Sequence, residues 1–200
     1  MAFAAWATIT PTSGSGNGQL SNTATANTGR DLRQTTVTGK GAGVSDQTYI
    51  LKQSGKPEFV EFNSANISKD GGTVTLSGKS NSSKLTFALG AGDLTVTLPA
   101  SFLANGVTTN NGVAIAGDPG KTMEYNFAIT FESISANLTT AAKTRNVSVT
   151  CNGGQSTSAT ITQSASNPFL TFEQEEVTLA WEGTPAVKVD VSSNINWTIS

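Results

Sequence analysis

Carboxylates are the first residues to weigh as chemistry. Glu173, Glu175, Glu176 and Glu182 with Asp190 form the only acidic concentration in the 200-residue chain. A glycosidase holds two carboxyls about 5–9.5 Å apart across a sugar. Here Glu173 and Glu175 alternate with neighbours on an expected strand, the pattern of a solvated face. The group also lacks the spacing of an EF-hand calcium loop. Histidine is absent, which removes Ser-His-Asp and Cys-His nucleophile systems and any histidine metal site. The single cysteine, Cys151, excludes an intrachain disulfide and a thiolate cluster, and no cation beside it would activate the thiol. Gly14-Ser15-Gly16-Asn17-Gly18 has the look of a phosphate loop, but no Lys-Ser/Thr follows and Gln19-Leu20-Ser21 leads into a strand, so a turn is expected. No catalytic, cofactor-binding or metal-binding residues are therefore expected, and no enzyme.

Binding is the next class to consider. Trp6, Trp181 and Trp197 could each stack on a sugar. Trp197 alternates with Ile195 and Ile199, so it is expected in a core, whereas Trp181, in Trp181-Glu182-Gly183, is expected at an exposed turn as an anchor for a partner or a sugar. Arg30, Arg33 and Arg145 precede strands and are expected to cover strand edges or pair with acidic neighbours. A net charge of -2 and only 13% charged residues, against the usual ~25%, give no footprint for nucleic acid or an anionic membrane. No stretch approaches the ~20 apolar residues of a membrane span. The chain carries no Lys or Arg before Arg30 and no apolar run of signal-peptide length, so no secretory leader is expected.

The elements that must position these residues are strands. Thr, Ser, Asn and Gly supply 30, 22, 16 and 20 residues, leaving too few strong helix formers for several long helices. β-Branched and aromatic runs recur at 8–10, 34–38, 48–51, 73–76, 85–89, 94–98, 125–131, 146–150, 158–162, 177–179 and 187–191. Most alternate apolar with polar residues, the pattern of sheets with one dry face. Gly- or Asn-rich breaks separate them, among them Asn105-Gly106 and Asp118-Pro119-Gly120. Many short strands with such turns read as β-sandwiches, with one helical turn expected near Ser101–Ala104.

Comparing strand endings brings out an internal repeat. Gln53 and Gln163 lie 110 residues apart, as do Phe62 and Phe172. At similar offsets Ala26-Asn27 matches Ala136-Asn137, Arg33 matches Arg145, and Ser80-Asn81 matches Ser193-Asn194. That period fits one immunoglobulin-sized sandwich. Residues 58–166 form a complete unit, 1–57 match its second half, and 167–200 match its first half. Joining Ser200 to Met1 on paper spaces Trp197 and Trp6 by nine, as Leu85 and Leu94 are spaced. The expected fold is thus all-β, with tandem immunoglobulin-like β-sandwiches, one complete and one split between the termini. The split unit would share a core of Trp6, Ile9, Val37 and Ile50 with Val189, Val191, Trp197 and Ile199, completed in cis or in trans.

Trp6-Ala7-Thr8-Ile9-Thr10-Pro11 through Asn17, Ala26 to Arg30 with Arg33, and Ile50 to Gly55 resemble the second half of a BACON domain. This is the Bacteroidetes-associated immunoglobulin-like module often called carbohydrate-binding. Val187 to Val191, Ser193-Asn194 and Trp197-Thr198 are similar to its first half. The middle unit departs from the pattern, with Leu85 where Trp is expected and a longer segment from Pro99 to Gly120. The arrangement also resembles small virion proteins of Bacteroidales phages, including crAss-like phages. The resemblance implies a structural virion component, such as a capsid decoration or head-associated protein, assembled in the host cytoplasm. Its expected partners are copies of itself and the major capsid or other virion proteins, with strands exchanged between subunits. The alternative is a carbohydrate-binding or spacer module of a secreted or cell-surface protein, with a surface glycan as ligand.

Overall fold

Alternating Thr, Val, Ile and Phe along short runs satisfies backbone groups laterally and puts apolar side chains on one face. The computed structural model, which describes residues 4–183 and 186–200, is accordingly all-β, with fifteen strands and one 3₁₀ turn among those residues. The segment 58–166 packs two sheets face to face. One is ordered β10 (Val107–Asn110), β9 (Ser101–Ala104), β11 (Tyr125–Ile134), β7 (Gly72–Ser80), β5 (Val60–Asn63). The other is ordered β6 (Ala65–Ile67), β13 (Ser156–Gln163), β12 (Lys143–Cys151), β8 (Leu85–Gly92). Pairing is antiparallel except between β6 and β13.

Burial follows the two-residue period along β7 and β11. Leu76, Leu85, Ile129, Phe131, Val147, Val149 and Ile161 are fully enclosed between the sheets. Phe87 packs edge-to-face on Phe62, Phe102 and Phe127 at 5.8, 4.9 and 5.8 Å between ring centroids. β7 makes room for this cluster at Gly78, where a Cβ would lie 2.0 Å from the Glu61 carbonyl oxygen and 2.5 Å from the Phe127 ring.

The flanking segments are smaller. Residues 4–57 form two hairpins, β1 (Ala7–Thr10) with β2 (Ser21–Ala24) and β3 (Arg33–Gly39) with β4 (Gln47–Gln53). Beyond residue 166, β14 (Leu170–Phe172) and β15 (Val191–Ser193) are the only strands that pair among the described residues. Residues 57 and 167 leave the central sandwich at opposite ends of β7. The Ser80 hydroxyl donates to the Phe59 carbonyl at 2.7 Å at one end, and the Asn137 amide donates to the Lys69 carbonyl at 2.7 Å at the other. Nine residues of strand separate them, about 30 Å at the usual rise.

Four expected elements differ. Ser101–Ala104 is a strand, not a helical turn, because Asn105 and Gly106 both take positive φ and close a tight β9–β10 hairpin. Leu94–Leu98 is not a strand, although Leu94 is buried and its amide donates to the Thr144 carbonyl at 2.9 Å. Of the runs 177–179 and 187–191, only Val191 lies in a strand.

Candidate functional site

Residues with no ionisable chemistry organise the molecule's joints. Asn81, fully buried, accepts from the Phe59 amide at 3.0 Å through Oδ1. Its Nδ2 donates to the carbonyls of Thr28, Lys56 and Pro57 at 3.5, 3.2 and 3.2 Å. One side chain thus ties the end of the 4–57 segment to the start of the central sandwich. Asn194 repeats the arrangement at the far end. Its Oδ1 accepts from the Phe169 amide at 2.9 Å, and its Nδ2 donates to the Leu138 and Asn167 carbonyls at 3.1 and 2.9 Å. The preceding serines match too, since Ser193 donates to the Phe169 carbonyl at 3.1 Å as Ser80 does to that of Phe59.

Two further amides recur in the same way. Asn27 donates to the carbonyls of Asp31 and Ser54, and Asn137 to those of Ala141 and Ser164. Gln53 donates to the Thr25 carbonyl at 2.9 Å and Gln163 to the Ser135 carbonyl at 2.8 Å. Each of these partners is displaced by the same 110 positions. The strand register agrees: Arg33 faces Gln53 and Val37 faces Tyr49, while Lys143 faces Gln163 and Val147 faces Ala159. By register the counterpart of Arg33 is therefore Lys143. Arg33 and Arg145 still reach matched neighbours, Arg33 over the Trp6 ring at 4.8 Å and Arg145 Nε to the Leu94 carbonyl at 2.8 Å.

The first joint carries an additional clamp. Arg30 donates through Nη2 to both carboxylate oxygens of Asp118, and its Nε donates to the Asn81 carbonyl at 2.6 Å. The amides of Arg30 and Asp31 donate to the carbonyls of Gly120 and Lys121, both at 2.9 Å. Lys56 pairs with Glu124 at 3.2 Å. Backbones approach so closely that a Cβ on Gly120 would sit 1.9 Å from the Asn81 carbonyl oxygen, and one on Gly55 1.9 Å from that of Arg30. Only glycine fits there. Sequence reasoning used the asparagines as markers of the repeat and missed their role as joints. Their recurrence directly beside strand ends was the available signal.

The residues expected to share a split core fall into two separate groups. Ile9 and Val37 are buried and Trp6 is half-buried, while Ile50 is 57% exposed. Ile50 faces away because Tyr49 and Leu51 hold the inward parity of β4, matching Ala159 and Ile161 of β13. Between the two N-terminal hairpins lies a groove of about 850 Å³ lined in part by Ile9, Leu20, Val37 and Tyr49. At the other end of the chain, Val189 and Val191 are half-buried, and Trp197 and Ile199 are 45% and 69% exposed. Among the described residues, no strand of 167–200 pairs with one of 4–57. Trp181 stands 91% exposed at its turn.

Glu173, Glu175, Glu176, Glu182 and Asp190 are all exposed, and Glu173 and Asp190 meet only through a backbone hydrogen bond. No cluster of three or more His, Cys, Asp or Glu able to hold a metal occurs among the described residues. Gly14–Gly18 is a loop joining β1 to β2. Cys151 is buried 3.9 Å from the Ser80 hydroxyl, and burial pushes its thiol pKa up. Burial likewise raises the Tyr125 hydroxyl above its ordinary range, where it donates to the Ser82 carbonyl at 2.7 Å. No helix among the described residues is long and apolar enough to cross a membrane. No family model matches the chain, and no curated protein is significantly similar to it.

Proposed function

We propose that this chain is a non-enzymatic structural protein that assembles head to tail by strand complementation. Residues 167–200 of one copy would complete the half-sandwich 4–57 of the next. The observation that carries this reading is the repeated asparagine joint. Asn194 grips the chain as Asn81 does, and β14–β15 repeat the β5–β7 register, with Leu170 opposite Ser193 as Val60 is opposite Ser80. Residues 167–200 thus follow the opening strands of a second sandwich, and 4–57 follow the closing strands of one. In the central unit the space between sheets holds Leu76, Leu85 and Phe87 from its opening strands. The groove lined by Ile9 and Val37 is the corresponding space, and Val189, Trp197 and Ile199 are the corresponding side chains. Burying each large apolar side chain contributes about 1.5–3 kcal/mol. Exit of the two segments at opposite ends of the central unit favours completion between chains over closure within one.

On this reading the units are immunoglobulin-like and BACON-like, and the host assembly is a virion, with the chain as a capsid decoration or head-associated protein. The direct test is mass measurement by sedimentation across concentration. The full chain should form concentration-dependent oligomers, a version ending at Asn167 should stay monomeric, and adding a peptide of residues 168–200 should cap it one to one. A full chain that remains monomeric at high concentration would overturn the proposal. Detection of the chain among the proteins of purified phage particles tests the virion assignment separately. The exposed indole of Trp181 favours a second reading, a glycan-binding or spacer module. Glycan binding lost on Trp181→Ala, without oligomers, would establish it.

A further inference from the structure

The internal repeat specifies how the two halves would meet, residue against residue. We infer that Trp197–Ser200 of one copy adds an antiparallel strand to the free edge of β3 in the next, with Trp197 opposite Gly41 and Ile199 opposite Gly39. The inference rests on the head-to-tail reading above and adds its register. In the central sandwich β12 is flanked by β13 on one side and β8 on the other, with Leu85 opposite Cys151 and Phe87 opposite Val149. From Arg33 to Gly39, β3 and β4 reproduce β12 and β13 at the constant displacement of 110, so Val149 maps onto Gly39, and the same displacement carried two residues past the end of β3 brings Cys151 onto Gly41. Among the described residues, the β8 side of β3 has no strand on it.

The incoming strand is fixed from its own side by Ser193 and Asn194, which occupy the places of Ser80 and Asn81. Three residues then lead to Leu85 in the central unit and two, Ile195 and Asn196, lead to Trp197. Parity selects this one-residue shortening. Leu85 and Phe87 point inward while Thr86 and Ala88 are exposed, and Trp197 and Ile199 alternate with Thr198 and Ser200 in the same order. A slip by one residue would turn Thr198 inward and both apolar side chains to solvent. The opposing positions also fit by size. Gly39 and Gly41 carry no side chain where Val149 and Cys151 stand, which leaves space for an indole in place of the Leu85 side chain. The neighbouring pair, Lys40 and Thr198, corresponds to Thr150 and Thr86 and lies on the outward face.

Paired cysteines test the register. In full-length chain, Lys40→Cys with Thr198→Cys should give a ladder of disulfide-linked oligomers under mild oxidation. The diagonal pair Thr38→Cys with Thr198→Cys should give roughly tenfold less, since Cα atoms beyond about 7 Å are not bridged without backbone movement. Both altered sites of the first pair are exposed, and buried Cys151 in the unaltered chain is the control. Sedimentation of the same samples under reducing conditions reports assembly independently. Oligomers with cross-linking only through the diagonal pair would overturn this register and leave head-to-tail assembly standing. Absence of oligomers in the reduced, unaltered chain would overturn both. A fast-migrating cross-linked monomer would show that the strand is added by the same chain, overturning the second copy as its acceptor.

Discussion

Asn81 and Asn194 make three matching hydrogen bonds at two places in one chain. Each accepts from the amide of a phenylalanine two residues past a joint, Phe59 or Phe169, and donates to a carbonyl on the preceding unit, Thr28 or Leu138. An amide side chain suits this task because it donates and accepts together and carries no charge to desolvate.

Replacing Asn81 by Ala should leave the Phe59 amide and the Lys56 and Pro57 carbonyls without their partner in a part-buried joint. The expected loss is about 3 kcal/mol of unfolding free energy, read by denaturant titration. Asn194→Ala, at a more open position, should cost under about 1 kcal/mol in the unassembled chain.

A methyl group at residue 120 has nowhere to go at the first joint. Gly120→Ala should free the 4–57 segment from the central sandwich while leaving the Leu76–Phe131 core intact. Limited proteolysis should then cut between residues 54 and 58 at least about tenfold faster, with the core fragment surviving, as expected when local opening rather than global unfolding is eased. Arg30→Ala should move cleavage in the same direction, because it removes the Asp118 pair and the bond to the Asn81 carbonyl.

Trp197 is the residue on which proposed assembly should depend most. Trp197→Ala should leave unfolding of the central sandwich unchanged, since the indole lies outside that core. The association constant should fall roughly thirtyfold, the 2 kcal/mol scale of an interface anchor. In the unaltered chain, tryptophan emission should shift to shorter wavelength as concentration rises.

Stability against pH should fall on the alkaline side. Tyr125 and Cys151 have pKa values raised by burial, so above about pH 9 the unfolded chain loses these protons before the folded one. The unfolded state then binds fewer protons, and unfolding free energy decreases as pH rises. Cys151→Ala should reduce the decline between about pH 9 and 10, followed by denaturant titration at each pH.

Much of the fold was legible because β-strands with one dry face write their period into the sequence. The runs in β7, β11, β12 and β13 alternate as their burial does. Ser101–Ala104 is a strand rather than a helical turn because pairing with β10 decides where Ser-Phe-Leu-Ala taken alone carries little strand preference. Leu94–Leu98 alternates well yet finds no ladder partner, so pattern without a neighbouring edge does not make a strand. At the candidate site, the apolar character of Trp197 and Ile199 is readable in the sequence, but the outward direction of Ile50 is not. Its inward or outward direction depends on the register with β3, which composition does not encode. The Arg30–Asp118 clamp joins residues far apart in sequence, and nothing local to either names the other.

That clamp has a mechanical consequence. It sits on the segment from Pro99 to Lys121, for which the 4–57 half has only the shorter loop between β1 and β2. At the second joint Thr140 stands where Arg30 stands at the first, so among the described residues Asn194 and the chain itself carry the connection. The two joints are therefore unequal springs. Under tension or bending, the hinge between Leu138 and Phe169 yields first, and the one between Thr28 and Phe59 transmits the load. A fibre of such copies would flex at every second joint, articulated like a chain of rigid double links.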